Sequence, residues 1–229
     1  MQITRLARIL TLLGLLLSGA ATSLAAARAA GAAPAEQCFP PTGFCTQGRF
    51  LAYWQQHGGL ASNGYPLTAE RRERLEDGNT YTVQYFERVR LELHPESMPP
   101  YNVLLGQFGR RIHPADPPVA PADGTAYSAV YFEQTGHNFA DKSRDKRAIL
   151  IGIGFRTYWE QHGGLPQFGY PISEPFDELL EDNAIHTVQY FERARFEVHC
   201  VRTEPARIDC SILLGQLGRR ILTEVDAGR

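Results

Sequence analysis

Long apolar runs are scarce in this 229-residue chain, and they end early. Beyond about residue 27 no stretch offers the roughly 20 apolar residues that a membrane-spanning helix needs. Charge of either sign is not in excess, with 23 basic residues against 25 acidic ones. Such a balance is a poor basis for non-specific nucleic-acid binding, which calls for a basic surface. No nucleophile elbow, P-loop, dinucleotide fingerprint or zinc-protease helix occurs, and neither does an H-x-x-x-H or H-x-H spacing. The motif-borne enzyme classes therefore have no support, and neither a cofactor nor a metal is implied.

The first thirty residues differ from the rest. Arg5 and Arg8 precede the apolar run Ile9 to Leu17, and "AAARAAGAA" offers small-x-small cleavage sites. That order predicts a secretory signal peptide over 1–30, cut near Ala27 to Ala32. Removing residues 1–29 takes away Arg5, Arg8 and Arg28 and no acid, which leaves a mildly acidic exported chain with no membrane span. There are four cysteines, and an oxidising compartment favours disulfides. Of three possible pairings the local ones, Cys38 with Cys45 and Cys200 with Cys210, are favoured because each closes a short turn-like loop. A zinc site is the rival, although the spacings are not C-x-x-C.

What the chain has in abundance is repetition. "TVQYFER" stands at Thr82–Arg88 and again at Thr187–Arg193. At this offset of 105, residues 50–94 and 155–199 agree at 25 of 45 positions without a gap. After a four-residue insertion, "VLLGQFGRRI" (103–112) matches "ILLGQLGRRI" (212–221). The expected organisation is two units, 38–112 and 131–221, joined by a Pro/Ala-rich linker over 113–130.

Within each unit Phe50, Tyr53, Trp54 and His57, like Phe155, Tyr158, Trp159 and His162, follow the spacing of one helical face. Gly58-Gly59 and Gly163-Gly164 then end the helix. His57 and His162 read as caps on its last carbonyls. "EDGN" (76–79) and "EDNA" (181–184) predict hairpin turns. From Tyr81 to Leu93 the alternation reads as one strand, with Val83, Tyr85, Glu87, Val89 and Leu91 of one parity. The fold class expected is α+β: two tandem copies of one helix on a short curled antiparallel sheet.

Two kinds of candidate site follow. Glu87 and Glu192 fall on the core parity, where an unpaired carboxylate is too costly, so each needs a partner. Arg110/Arg111 and Arg219/Arg220, in the same unit as each acid, are the expected braces. The alternative makes Glu87 and Glu192 an acid/base pair of a glycan hydrolase. The opposite parity carries Phe86, Arg88 and Arg90, with Phe191, Arg193 and Arg195 in the second copy. An aromatic beside arginines on a solvated face suits an anionic or sugar polymer. Tyr65 and Tyr170, beside turn glycines, are further platforms, whereas Trp54 and Trp159 are read as structural.

The run "YW-x-x-H-G-G-L-x-x-x-G-Y-P", then "V-Q-Y-F-E-R", then "L-L-G-Q-x-G-R", resembles repeats of secreted bacterial proteins and is more distantly similar to LGFP repeats. "NGYP" (63–66) and "FGYP" (168–171) stand where "LGFP" would. The resemblance covers both units and implies association with the bacterial cell envelope, but it carries over no catalytic residue. The function expected is an exported, non-catalytic module that binds cell-wall glycan or a surface protein. A purely structural or adaptor protein is the further alternative.

Overall fold

Glycine pairs and two-residue turns divide the chain into short elements. The computed structural model describes residues 35–125, 130–140, 154–204 and 207–228. The expected signal peptide over 1–30 lies outside them.

A β-hairpin opens the described chain: β1 (Glu36–Phe39) pairs with β2 (Phe44–Gln47), and Cys38 faces Cys45 across it. Their disulfide is formed, as is that of Cys200 with Cys210. Helix α1 (Gly48–Gln56) ends at His57, and Gly58 enters the left-handed region at φ 81°, which starts α2 (Gly59–Asn63). His57 caps α1 as expected, with Nδ1 2.9 Å from the Tyr53 carbonyl. A four-stranded antiparallel sheet follows, of β3 (Arg71–Arg74), β4 (Thr80–Tyr85), β5 (Arg90–Leu93) and β6 (Val103–Leu105) in that order. Helix α3 (Phe108–Ile112) closes this half.

The second half runs the same way. The hairpin of β7 (Tyr131–Phe132) and β8 (His137–Asn138) precedes α4 (Phe155–Gln161) and α5 (Gly164–Phe168). Strands β9 (Phe176–Leu179), β10 (Ile185–Tyr190), β11 (Arg195–Glu204) and β12 (Arg207–Leu214) form the second sheet, and α6 (Leu217–Ala227) ends it. The protein therefore combines sheets and helices, as an α+β chain should.

One expectation is corrected here. The single strand from Tyr81 to Leu93 is a hairpin, because Phe86 N–H donates to the Val89 carbonyl and Glu87-Arg88 form a two-residue turn. Parity does not survive such a turn. Tyr85 faces Arg90 and Val83 faces Glu92 as cross-strand partners, so Arg90 joins the aromatic side of the sheet. Residues 113–119 of the expected Pro/Ala-rich linker make contacts of their own. Asp116 N–H donates to the Ile172 carbonyl, Val119 N–H to the Gly136 carbonyl, and the His113 ring stacks on Tyr190 at 4.4 Å. The described residues of both repeat units, 38–112 and 131–221, belong to one compact body.

The reason for that unity is reciprocal docking. Leu217 and Ile221 of α6 pack with Leu75, Val83, Tyr85 and Phe108 of the first half. Ile112 of α3 packs against Ile172, Leu180, Val188 and Tyr190 of the second. Burying several large apolar side chains this way, at about 1.5–3 kcal/mol each, favours a joined body over two free ones. The Tyr53 hydroxyl also crosses the joint to Gln167 Oε1 at 3.1 Å, and burial pushes its pKa up to about 12.

Candidate functional site

The turn Glu87-Arg88 sits where both halves meet, and glycine makes its approach possible. Gly64 has φ 80°, and a Cβ there would lie 2.6 Å from Glu87 Cβ. Gly169 has φ 78° and stands in the same relation to Glu192. From the other side comes the "GRR" start of each closing helix. A Cβ on Gly218 would fall 2.0 Å from the Phe86 carbonyl oxygen, and one on Gly109 only 1.7 Å from that of Phe191. Only glycine admits this contact. The repeated "GYP", "QYFER" and "GRR" motifs thus converge at one joint.

Each acid is fully engaged there. Glu87 accepts from Arg219 Nη2 at 2.7 Å and from the Tyr65 backbone N–H at 3.1 Å. Glu192 accepts from Arg110 Nη2 at 2.7 Å and from Tyr170 N–H at 3.2 Å. The braces expected within each unit are therefore supplied by the opposite half. Backbone bonds run beside them, from Arg219 N–H to the Glu87 carbonyl and from Arg110 N–H to the Glu192 carbonyl, both 3.1 Å.

The face expected to meet a ligand is largely internal. Phe86 and Phe191 are fully buried, Phe86 among Phe50, Val89 and Leu91, and Phe191 against Phe196 and Phe139. Neither can act as a platform. Arg90 and Arg195 are 2% and 1% exposed. Arg90 is locked by Glu92 at 2.7 Å, Glu76 at 2.8 Å and the Tyr85 hydroxyl at 3.2 Å. Arg195 repeats this with Glu197, Glu181 and Tyr190. Burial is the largest influence and opposes the charge on both guanidinium groups, but Glu92, Glu76 and Tyr85 around Arg90, and Glu197, Tyr190 and Glu181 around Arg195, together outweigh it and hold the pKa above the usual arginine range. Both arginines belong to the core, where they satisfy buried carboxylates.

Tyr65 and Tyr170 are half-buried beside the joint, with edge contacts to Phe39 and Phe132 at 5.7 and 5.3 Å. Trp54 and Trp159 donate their indole N–H groups to the Gly64 and Gly169 carbonyls, both at 2.9 Å. These bonds tie each helix to its "GYP" turn.

Arg88 and Arg193 do reach open space, each in a groove of the other half. One groove, of ≈ 650 Å³, is lined by Glu76, Asp77, Tyr81, Glu92 and His94 together with Arg110, Arg111 and Arg193. Leu75, Leu104 and Leu105 provide its apolar surface. The second groove, of ≈ 580 Å³, is lined by Glu181, Asp182, Glu197 and His199 together with Arg219, Arg220 and Arg88, with Leu180, Leu213 and Leu214. Three guanidinium groups beside an apolar wall can receive a carboxylate- or phosphate-bearing ligand. Sequence reasoning missed both grooves because each draws its arginines from two distant segments.

One further cluster lies outside the sequence expectations. Asp182, His186 and His199 bring one ligand atom each to within 4.8 Å of one another. Their spacing in the chain carries no metal signature, but the β10–β11 pairing sets the two imidazoles 4.0 Å apart. Among the described residues no helix is long and apolar enough to cross a membrane. No protein-family model matches the chain, and no curated protein or solved structure does either.

Proposed function

We propose that this chain is an exported, non-catalytic module, built of two copies of one LGFP-like unit, that binds an anionic glycan of the bacterial cell envelope. The observation that carries this reading is the pair of matching grooves. Each sets Arg110, Arg111 and Arg193, or Arg219, Arg220 and Arg88, beside three leucines. Guanidinium forks suit the carboxylates or phosphates of such polymers, and apolar walls suit the faces of sugar rings. Two grooves on one compact body raise the effective concentration of the second site once the first is filled, which gives duplication a use. Export is supported by the leader-like start and by two disulfides, which persist in oxidising compartments.

A hydrolase built on Glu87 and Glu192 has weaker support. Both carboxylates have the same partners, an arginine and a backbone N–H, so nothing separates an acid from a base.

Titration with soluble peptidoglycan fragments and with uronate oligosaccharides tests the proposal. Binding should weaken by roughly tenfold or more when Arg111 and Arg220 are both changed to Ala, because each charge-assisted bond contributes about 1.5–3 kcal/mol. The wild type should hydrolyse none of these fragments, so that E87Q has no activity to lose. Unchanged affinity in the double variant would remove the groove as the binding surface.

A further inference from the structure

The two grooves differ at one place. In the first half Tyr81 donates to Asp77 Oδ2 at 2.8 Å, and Asn79 Nδ2 donates to the same oxygen at 3.0 Å. Both donors consume the lone pairs that a cation would need. His94 is also occupied, with Nδ1 2.8 Å from Glu96 and Nε2 3.3 Å from Glu92.

The second half replaces Tyr81 by His186 and has no counterpart to Glu96 at this point. Asp182 Oδ1 accepts from the Ala184 backbone N–H at 3.0 Å, which fixes the carboxylate and turns Oδ2 toward His186 Nε2 at 2.8 Å. His186 Nδ1 lies 3.0 Å from the Val198 carbonyl. His199 Nε2 lies 2.8 Å from Glu197, itself held by the buried Arg195. Each imidazole therefore has one nitrogen fixed by an oxygen acceptor, the arrangement that orients metal-ligating histidines. The three side chains are reachable from solvent, at 11% exposure for His186, 25% for His199 and 49% for Asp182.

We infer that Asp182, His186 and His199 form a site for one divalent first-row transition ion of the zinc class. Two imidazoles and one carboxylate are a borderline donor set that favours such an ion over magnesium or calcium, which take oxygen ligands. Bonds of about 2.0–2.2 Å draw the three donors together. The half-exposed Asp182 carboxylate can close that distance by side-chain rotation. With three protein ligands, a fourth position stays open toward the groove that Asp182 and His199 line. The inference does not depend on the glycan reading.

Calorimetric titration of the untagged, disulfide-bonded chain with zinc chloride tests it. The expected result is one ion per chain, with magnesium chloride failing to compete. The variant H186Y, which installs the residue of the first half, should lose affinity by more than the roughly 10–100-fold cost of an outer-sphere partner. Its melting temperature without metal should stay near that of the wild type. Should H186Y not fold, H199Q provides the same comparison. No binding by the wild type, equal binding by the folded variants, or displacement by magnesium would overturn the assignment.

Discussion

Arg219 Nη2 lies 2.7 Å from Glu87 Oε1, across 132 residues of chain, and Arg110 meets Glu192 at the same distance. Each acid marks the tip of one hairpin and each arginine the start of the opposite closing helix. The pair of contacts explains why "FER" and "GRR" recur together. Neither motif has its partner in its own half.

Glu87→Gln should therefore destabilise the protein without altering any chemistry. It would weaken two charge-assisted bonds, worth about 1–3 kcal/mol in total after allowance for the half-exposed arginine. Arg219 is 51% exposed on its side chain, so Arg219→Ala should cost less, about 0.5–1 kcal/mol. Urea unfolding of the three proteins measures both.

Gly218→Ala should be far more damaging than its size suggests. The added methyl would meet the Phe86 carbonyl oxygen and the Val89 backbone, which cannot yield without moving the hairpin. We expect a loss of about 3 kcal/mol or a failure to fold, at the upper end of overpacking costs. Gly43→Ala is the control. Its Cβ would meet nothing within 4 Å, although its φ of 74° still disfavours alanine by about 1 kcal/mol.

Arg90→Met should cost about 3–5 kcal/mol, because it strands the buried Glu92. Arg195→Met should behave alike through Glu197. Circular dichroism melts of each variant and of the Arg90→Met/Glu92→Leu pair would separate lost charge from lost packing. The pair should recover most of the stability.

Acid should weaken the same clusters. Burial alone would raise the carboxyls of Glu76 and Glu181, but the hydrogen bonds and charges of Arg90 and Arg195 outweigh it and hold both below their usual 4.5. A carboxylate with a depressed folded value stabilises the native state above its unfolded pKa, and loses that contribution as pH falls through the folded one. The melting-temperature gap between wild type and Glu76→Gln/Glu181→Gln should be steady near neutrality and close as pH drops below 4.5.

Local chemistry was legible in the sequence, and long-range pairing was not. Gly58 and Gly163 mark the helix ends, "EDGN" and "EDNA" form their hairpins, and both local disulfides are present. The Glu87-Arg88 turn escaped notice because it contains no glycine, asparagine or proline. It is held instead by Tyr65, Gly64 and the distant Arg219. Missing that turn inverted the parity beyond it, which placed Arg90 at a surface it never reaches. For the site, Arg88 and Arg193 were named from the polar parity of a strand, and they line the grooves from the turn instead. Their groove partners were invisible, since Arg110 and Arg219 are separated from them by docking between halves. His186 and His199 were missed for a related reason: thirteen residues apart, they meet only through the register of β10 and β11.

Each acid braces one half against the other. A double-mutant cycle tests it most directly. Glu87→Gln combined with Arg219→Ala should show a coupling of about 0.5–1.5 kcal/mol, whereas Glu87→Gln with Arg110→Ala should add within about 0.3–0.5 kcal/mol. Coupling of Glu87 to Arg110, or to neither arginine, would contradict the reciprocal joint.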